Sequence, residues 1–402
     1  MDDPTKSDKV DHFAPEGIGP GPEAAGFSAE AQKQESLGGG SGEVKPSQPQ
    51  QVKKETDWPM GARKSVEVNG KRWEYLEYGN PDGIPILNVH GWLSASAEGN
   101  ERLSKALAGE VQNSIGLQSL DRSVEEGGAP KGAAKVRALV ESLKGKYHII
   151  APQLPGFGHS EAIDDPFLDG MADALADFQQ AVGLEKPIFF GSSMGGILGV
   201  KLAARHPEAV RALVIQGTMA EPTDMKTREY LFSRVATFPP IKIAVENIPW
   251  LANLAKEKIF KPGIQTTKDF QLATPENREL MLNDVDAADP KTILSTLRGI
   301  GSHLERDIDR ISAPVIVMDG TAGELVPIAK SKEIAGRFHQ ESPPRGNRDK
   351  PNLGDKIADK KVMYFQVGGV AGEHGHSVIN SAPEEVAVLI NHAVNYTNAG
   401  IT

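Results

Sequence analysis

Apolar and polar residues alternate over residues 65–78, on either side of the pair Asn69-Gly70. A period of two is typical of a half-buried strand, and Asn-Gly suits the two central positions of a type I′ turn. The pattern therefore predicts a β-hairpin at the beginning of the folded part of the chain.

Short apolar runs alternate with segments whose apolar residues have helical spacing through the rest of the chain. The runs predict strands over 84–89, 147–151, 187–190, 212–216, 314–318 and 361–367. The helical spacing predicts helices over 135–143, 167–182, 194–205, 326–338 and 383–396, and a helix-rich stretch over 221–308. Strands that alternate with helices pair in parallel, so the predicted fold class is α/β with a doubly wound, mostly parallel sheet. In such sheets, functional sites form at the carboxyl ends of the strands.

Residues 1–57 differ in composition from the rest of the chain, being rich in Gly, Pro, Glu, Lys, Gln and Ser. A segment such as Gly38–Gly42 cannot bury enough surface to offset the entropy of ordering it. We therefore predict a disordered tail over 1–57, and the alternative is a partner-docking motif around Phe13 or Phe27. Two polar insertions, over about 96–146 and 340–360, are predicted within the folded part.

The chain has a formal net charge of −10 and no cysteine. The negative charge disfavours nucleic acid and anionic membrane surfaces as partners. The lack of cysteine excludes disulfides, thiol nucleophiles and cysteine-ligated metals. The polar N-terminus has no apolar core of a secretory signal, and no run of about 18 apolar residues occurs. We therefore expect a cytoplasmic protein without a membrane span.

The pattern G-x-S-x-G occurs at Gly191–Gly195, between a predicted strand and a predicted helix. At so sharp a turn the central serine takes a strained backbone conformation, and bulky neighbours would collide. The turn exposes the Ser193 hydroxyl at the N-terminus of the next helix, where the helix dipole favours developing negative charge. This context predicts that Ser193 is a nucleophile. The alternative is a small-residue turn that only packs a helix against a strand.

With this turn in place, the sequence resembles the α/β-hydrolase superfamily over residues 61–402, apart from the two insertions. Four landmarks occur in the family's order, and they are His90-Gly91-Trp92, Pro155–Ser160, the turn at Ser193, and Gly375-His376. The Ser-Met-Gly-Gly form of the turn is most similar to lid-bearing serine esterases and carbon–carbon bond hydrolases. The resemblance implies a core over 58–220 and 309–402 and a helical cap over 221–308.

The resemblance also implies roles for the residues around the nucleophile. The backbone N–H groups of Trp92 and Met194 would form the oxyanion hole, and His90 would be structural, bonded inside its own turn. His376 would be the general base, since a histidine with a pKa near 7 suits that role. His374 is the competing candidate for the base.

The acid that would orient the base is the main departure from the family. The family's pattern G-x-x-D-x-x-V-P places the acid where this chain has Gly323. Glu324 lies one position later and has one more methylene of reach, so it is the first candidate. Asp319 and Glu221, each near the end of a predicted strand, are the substitutes. The remaining possibility is that there is no acid.

A second departure concerns the loop 154–160. The family usually carries Asp where this chain has Gln153. Because that carboxylate normally braces the local backbone, its replacement implies an altered loop rather than lost chemistry. His159 is a common family residue in this loop, and we assign it no catalytic role.

The predicted cap contains an apolar stretch around Pro249, made up of Ile241, Ile243, Val245, Ile248, Trp250, Leu251, Leu254 and Ile259. Packing of the cap on the core would explain the stretch, and a hydrophobic substrate tunnel or an interfacial surface is the alternative. A cap excludes water and shapes the acyl pocket. We therefore expect a small or medium-sized apolar ester-like substrate.

These features predict a serine hydrolase that cleaves a carboxylic ester or related carbonyl substrate through an acyl-enzyme. Lactone, amide or carbon–carbon bond hydrolysis would use the same groups, whereas dehalogenases and epoxide hydrolases of the superfamily use an Asp nucleophile. The long insertions and Gly323 motivate the alternative, a non-catalytic binding or scaffold protein on a hydrolase fold. The presence of Ser193, His376 and both oxyanion positions argues against it. Neither a cofactor nor a metal is predicted.

Overall fold

The computed structural model describes residues 58–94, 98–118, 120, 132–219, 234, 237–300, 304–320, 328–339, 362–367 and 378–398. Within them, eight strands form one sheet. The strands are β1 (Met60–Val68), β2 (Lys71–Gly79), β3 (Ile84–Val89), β4 (Tyr147–Pro152), β5 (Ile188–Ser192), β6 (Ala212–Gln216), β7 (Val315–Gly320) and β8 (Val362–Val367).

The order of the strands in the sheet is β1-β2-β4-β3-β5-β6-β7-β8. β1 and β2 are antiparallel, β2 pairs antiparallel with β4, and every pair from β4 to β8 is parallel. The carboxyl ends of β3 to β8 therefore meet at one edge of the sheet. The crossovers between parallel strands confirm the predicted fold class.

The predicted hairpin is confirmed, since β1 and β2 are joined through Asn69 and Gly70. Both residues have positive φ, at 52° and 73°, as a type I′ turn requires. Asn69 tolerates this conformation better than most residues, because its short amide side chain can bond locally or nearby. Its Nδ2–H donates to Asp177 Oδ2 at 2.7 Å.

Helices connect the strands and lie on both faces of the sheet. The first four are α1 (Glu98–Leu107), α2 (Gly132–Glu141), α3 (Leu168–Ala181) and α4 (Met194–Arg205). Between β6 and β7 come α5 (Pro239–Asn247), α6 (Pro249–Ala255), a π-turn (Lys256–Phe260), α7 (Lys261–Gln265), α8 (Lys268–Leu272), α9 (Pro275–Ala287), α10 (Pro290–Ile300) and α11 (Glu305–Ile308). The chain continues with α12 (Ile328–His339), α13 (Val378–Ser381) and α14 (Pro383–Asn398).

The central strands are apolar on both faces because helices cover both. Phe189 and Phe190 in β5 point to opposite sides and are both fully buried. Phe189 belongs to the core beneath α3 and α4, which also includes residues of α10. Phe190 belongs to the core beneath α1 and α14. A strand buried on both sides has a continuous run of apolar residues, which is why such runs located these strands in the sequence.

The structure describes much of the first predicted insertion and none of the second. The first contains α1 and α2, both of which pack against α14. The second, 340–360, lies outside the described residues, as does the predicted tail over 1–57. In the part of the chain that the structure describes, no helix combines the length and apolar character needed to cross a membrane.

Candidate active site

The candidate nucleophile Ser193 occupies a sharp turn between β5 and α4. Its backbone has φ 53° and ψ −115°, a conformation that residues with a side chain rarely adopt. Such strain costs on the order of 1–3 kcal/mol and persists only where the surroundings hold it in place. Here the Ser193 N–H donates to the Gln216 carbonyl at 2.7 Å, and the Ser193 carbonyl accepts from the Gly196 N–H at 2.9 Å.

The glycines of the turn are required by close backbone contacts. A Cβ added to Gly191 would lie 2.3 Å from the Gly195 carbonyl oxygen. A Cβ added to Gly195 would lie 2.4 Å from the Val89 carbonyl oxygen. Because both obstacles are backbone atoms, neither can move away cheaply. Larger residues would therefore collide at both positions, as the sequence motif predicts, and the two glycines allow α4 to pack closely against the ends of β3 and β5.

A second serine in the turn has a different environment. Ser192 is 3% exposed, and its hydroxyl donates to the side-chain carbonyl of Gln216 at 2.8 Å. Ser193 is only half-buried. Ser192 therefore anchors β5 to the end of β6, while Ser193 is the serine that a reagent can reach. The role of Gln216 was missed from the sequence, although a polar residue that ends the apolar run of β6 was a usable signal.

The turn after β3 brings Gly91 against the nucleophile. A Cβ at Gly91 would lie 3.3 Å from the Ser192 carbonyl oxygen and 3.5 Å from Ser193 Cβ. The Ser94 hydroxyl donates to the Gly91 carbonyl at 2.9 Å, which stabilises the turn. The sequence landmarks at residues 90–92 and 191–195 are therefore neighbours in space.

His90 has the structural role that was predicted for it. Its side chain is fully buried, with Nδ1 2.6 Å from the Gly91 carbonyl oxygen and Nε2 2.9 Å from the Leu154 amide nitrogen. The amide N–H must donate to Nε2, so Nδ1 carries the proton and donates to the carbonyl. Burial lowers the pKa of His90 to about 4, with the Gly91 bond opposing the shift. His90 is therefore neutral, and it connects two loops through hydrogen bonds rather than transferring a proton.

Trp92 connects this turn to the helices between β6 and β7. Its Nε1–H donates to the Thr296 hydroxyl in α10 at 3.1 Å. Its ring meets the Phe260 ring edge to face, with centroids 5.8 Å apart. Thr296 is fully buried and donates its own proton to the Thr292 carbonyl at 2.6 Å, which leaves its oxygen free to accept from Trp92. Thr296 could not have been singled out from the sequence, because a threonine inside a helix has no distinguishing pattern.

The predicted oxyanion donors are the backbone N–H groups of Met194, which follows Ser193 in the chain, and of Trp92. Met194 is the first residue of α4, so its N–H is among the four that have no acceptor within the helix. Trp92 follows Gly91, whose backbone lies against Ser193. The assignment of the two N–H groups to an oxyanion hole stays a prediction.

Gln153 braces the loop 154–160 although it replaces the family's usual Asp, and the expected alteration of the loop stays a prediction. The side-chain oxygen of Gln153 accepts from the His159 N–H at 2.7 Å, so an amide oxygen does what a carboxylate would do. The Ser160 hydroxyl donates to the Gln153 carbonyl at 2.7 Å. His159 is exposed, which agrees with the absence of a catalytic assignment. The loop also supports α10, because the Asp289 N–H donates to the Gly156 carbonyl at 2.7 Å.

The predicted base and most acid candidates lie outside the described residues. These are His376, its competitor His374, the acid candidates Glu324 and Glu221, and Gly323. The described strands show where the chain enters the segments that contain Glu324 and His376. β7 ends at Gly320 and β8 at Val367, both at the edge of the sheet where β5 ends and Ser193 follows it.

Asp319 is the one acid candidate that the structure describes. It is 6% exposed at the carboxyl end of β7 and pairs with Gln366 of β8. Burial raises the pKa of Tyr364 to about 12, and the charge of Asp319 adds to that shift. Asp319 therefore lies near Tyr364 on β8, and its part in a catalytic triad stays a prediction.

The apolar stretch around Pro249 is mostly not packed on the core. Val245 is 7% exposed, and Leu251 is half-buried against the core. The other six residues are exposed, and they are Ile241, Ile243, Ile248, Trp250, Leu254 and Ile259. Cap packing as an explanation for the whole stretch is therefore wrong.

Comparison with known proteins agrees with this geometry. A family model described as alpha/beta hydrolase fold matches residues 126–341, which is more than half of the chain and includes the Ser193 turn. The chain belongs to the α/β-hydrolase fold family.

Individual relatives match less of the chain. Haloalkane dehalogenase 2 of Mycobacterium tuberculosis is 28% identical over 121 residues, which is 29% of this chain and 42% of that protein. The chain thus spans about two fifths of the length of the first curated relatives that it matches. AB hydrolase superfamily protein YisY of Bacillus subtilis is 26% identical over 198 residues, or 48% of this chain and 70% of YisY.

Solved structures extend the likeness of fold over most of the chain. A thermophilic esterase from Thermogutta terrifontis superposes with a TM-score of 0.51 and 18% identity. The superposition covers 83% of this chain and 98% of the esterase. At this identity the likeness establishes the fold alone.

Proposed function

We propose that the protein is a serine hydrolase that cleaves a carboxylic ester or a related carbonyl compound through an acyl-enzyme. The strained backbone of Ser193 at the start of α4, held by contacts with β3 and β6, is the observation that carries the proposal. Relatives in the family bear the names of hydrolases, including a dehalogenase. Ser193 occupies the position at which dehalogenase-type members carry Asp, so acyl transfer is favoured over dehalogenation.

In the proposed mechanism, Ser193 Oγ attacks the substrate carbonyl while His376 accepts its proton. The N–H groups of Trp92 and Met194 stabilise the oxyanion of the tetrahedral intermediate. His376 returns the proton to the leaving group, and a water molecule then releases the acyl group by the same route. Glu324 is the proposed acid that orients His376, with Asp319 or Glu221 as substitutes.

We further propose that the helices between β6 and β7 act as a cap over the site. Phe260 and Thr296 contact Trp92, and Asp289 is bonded to Gly156 beside the site. A cap in this position would exclude water from the acyl-enzyme and shape the pocket. An apolar ester of small or medium size is the proposed substrate class.

A fluorophosphonate probe tests the proposal, because it labels only an activated serine. We expect the wild type to be labelled, Ser193→Ala to be unlabelled and His376→Ala to be labelled slowly. Ser192→Ala is the matched control, since Ser192 is buried and bonded to Gln216. It should keep its labelling. Absence of labelling in the folded wild type would instead favour the non-catalytic binding or scaffold protein.

The acid is then identified by ester hydrolysis rates of Glu324→Gln, Asp319→Asn and Glu221→Gln. Loss of a triad acid lowers the rate by roughly 10⁴, because the imidazole loses its orientation and the imidazolium its partner. We expect that loss for Glu324→Gln and much smaller effects for the other two. Equal small effects in all three variants would mean that His376 acts without an acid.

A further inference from the structure

The large exposed apolar side chains of the described residues are concentrated in one region. Seven occur within residues 238–259, and they are Phe238, Ile241, Ile243, Ile248, Trp250, Leu254 and Ile259. We call these seven residues the exposed apolar surface. Trp250 is 67% exposed, which is an unusual position for the largest apolar side chain. Clusters of this kind mark interaction surfaces, whereas single exposed apolar residues need no explanation.

Three of the seven residues, Trp250, Leu254 and Ile259, lie on one helical rod. The α6 helix, the π-turn and α7 run without a break from Pro249 to Gln265, because the residues at both junctions have helical backbone angles. A rod of that length extends about 25 Å. Trp250 and Leu254 lie one turn apart on its outer side, whereas Ala252, Ala255 and Phe260 are buried on its inner side.

The charge of the region identifies the class of partner. Among the exposed residues of 238–265 only Glu257 and Lys258 are charged, and their charges cancel. Lys261, beneath them, is held by Glu257 at 2.5 Å and Asp286 at 2.8 Å. The outer face is therefore apolar and neutral, on a chain whose net charge is −10. A neutral or zwitterionic lipid surface fits this combination, whereas an anionic one would repel the chain.

The arrangement of side chains also fits a lipid surface better than a second protein chain. Asn253, Glu257 and Lys258 are interleaved with the apolar residues along the rod, and Asn247 ends α5 just before it. In the plane of a lipid interface such polar groups stay with the headgroups while the apolar ones enter the acyl region. The indole of a tryptophan is suited to that boundary, because one edge is apolar and the N–H needs a polar partner.

The inner side of the same rod reaches the candidate active site. Phe260 contacts Trp92, and Trp92 follows Gly91, whose backbone lies against Ser193. We propose that the exposed apolar surface docks the protein on a neutral or zwitterionic lipid surface, with α6 to α7 lying in the interface. The proposal concerns binding and holds whether or not Ser193 is the nucleophile.

Binding to vesicles tests the proposal directly. The Ser193→Ala protein is used as the background, so that hydrolysis cannot alter the lipid. We expect it to co-sediment with phosphatidylcholine vesicles, and to bind no more tightly when phosphatidylglycerol is added. The double variant Trp250→Gln/Leu254→Gln should lower the partition coefficient at least tenfold. Phe167→Gln, at an exposed aromatic residue outside the surface, is the matched control and should stay within twofold.

Quenching by brominated phosphatidylcholine tests which residue enters the lipid. The chain has four tryptophans, so the contribution of Trp250 is found by comparison with Trp250→Phe. Trp250→Phe keeps an apolar aromatic side chain, and we expect binding within about threefold but loss of most of the quenching. The proposal is overturned if phosphatidylcholine is not bound, if the double variant binds as well as its parent, or if binding needs anionic lipid and disappears in salt. Sedimentation of a lipid-free dimer that the double variant abolishes would likewise overturn it, in favour of a second copy of the chain.

Discussion

At the scale of single residues, the candidate site depends on a few side chains that hold the backbone rather than on those that react. Ser193 keeps its strained angles because Gln216 and the backbone of β3 surround it. His90 joins two loops through both ring nitrogens. A polar atom buried without a partner costs about 1–3 kcal/mol. Each of these hydrogen bonds therefore stabilises the folded state and also holds the backbone of the site in place.

The pH dependence of stability should reveal the buried His90. Its pKa in the folded protein is about 4, against 6.5 in an unfolded chain. Below pH 6.5 the unfolded state therefore binds the proton first, and stability falls as the pH drops from 6.5 to 4. The loss attributable to His90 is about 2 kcal/mol at pH 5 relative to pH 8.

Denaturant unfolding of the wild type and of His90→Gln at pH 8 and pH 5 measures this contribution. Glutamine can bond but does not titrate, so the variant should be less stable at pH 8 and less sensitive to acid. An identical change in the free energy of unfolding between the two pH values for both proteins would mean that His90 does not titrate as described.

At the scale of elements, the sheet and the helices after β6 meet at Trp92. The turn after β3 is tied to α10 through Thr296 and to the π-turn through Phe260. The loop after β4 is tied to α10 through Gly156. A helix joined to two loops of the site can influence substrate binding without touching the substrate, because it sets where those loops lie.

Replacement of Thr296 tests whether its hydrogen bond to Trp92, rather than the packing of its side chain, affects substrate binding. Thr296→Val keeps the shape of the side chain but removes the acceptor of the Trp92 N–H. We expect a loss of about 1–2 kcal/mol in the free energy of unfolding. In ester hydrolysis, the KM should rise more than kcat falls, since the backbone of the site stays in place.

Thr296→Ser supplies the control, because it retains the hydroxyl and loses only a methyl group. It should keep a near-wild-type KM with a small loss of stability. If Ser and Val variants shifted the KM equally, the effect would come from the methyl contacts and not from the hydrogen bond to Trp92.

At the scale of the whole molecule, the chain divides into two units, Met1–Val52 and Lys53–Thr402. The second contains the sheet, the helices and every described residue of the site. Its first described residue, Trp58, packs on Gly145, where an added Cβ would lie 2.5 Å from the indole. Gly145 has φ 75°, so both its backbone and its contact with Trp58 call for glycine.

Removal of residues 1–52 should therefore leave the folded unit intact. We expect its thermal midpoint to stay within about 2 °C of the full chain, because a tail of this composition buries little surface. Trp58→Ala in the full chain should instead lose about 1–3 kcal/mol, since it removes a packed aromatic ring. A truncated protein less stable than the Trp58→Ala variant would contradict the prediction that 1–57 is a disordered tail. Differential scanning calorimetry measures both.

The sequence determined the parts of this protein that depend on local pattern. Apolar runs located six of the strands, alternation over 65–78 and Asn69-Gly70 located the hairpin, and the glycines around Ser193 marked the strained turn. These predictions succeed because a turn conformation or a strand buried on both faces restricts the residue types within a few positions of the chain. The family resemblance added the expected roles of His376, Glu324 and the oxyanion donors, which stay predictions.

The tertiary structure decided what depends on which distant residues meet. It paired Trp92 with Thr296, more than 200 positions away, and gave Gln153 the bracing role that the family's Asp usually has. It also turned Trp250 and Leu254 outward, where the sequence alone allowed them to pack on the core. An apolar side chain at helical spacing has the same pattern whether it faces the core or the solvent. Only the position of its helix against the rest of the molecule distinguishes the two.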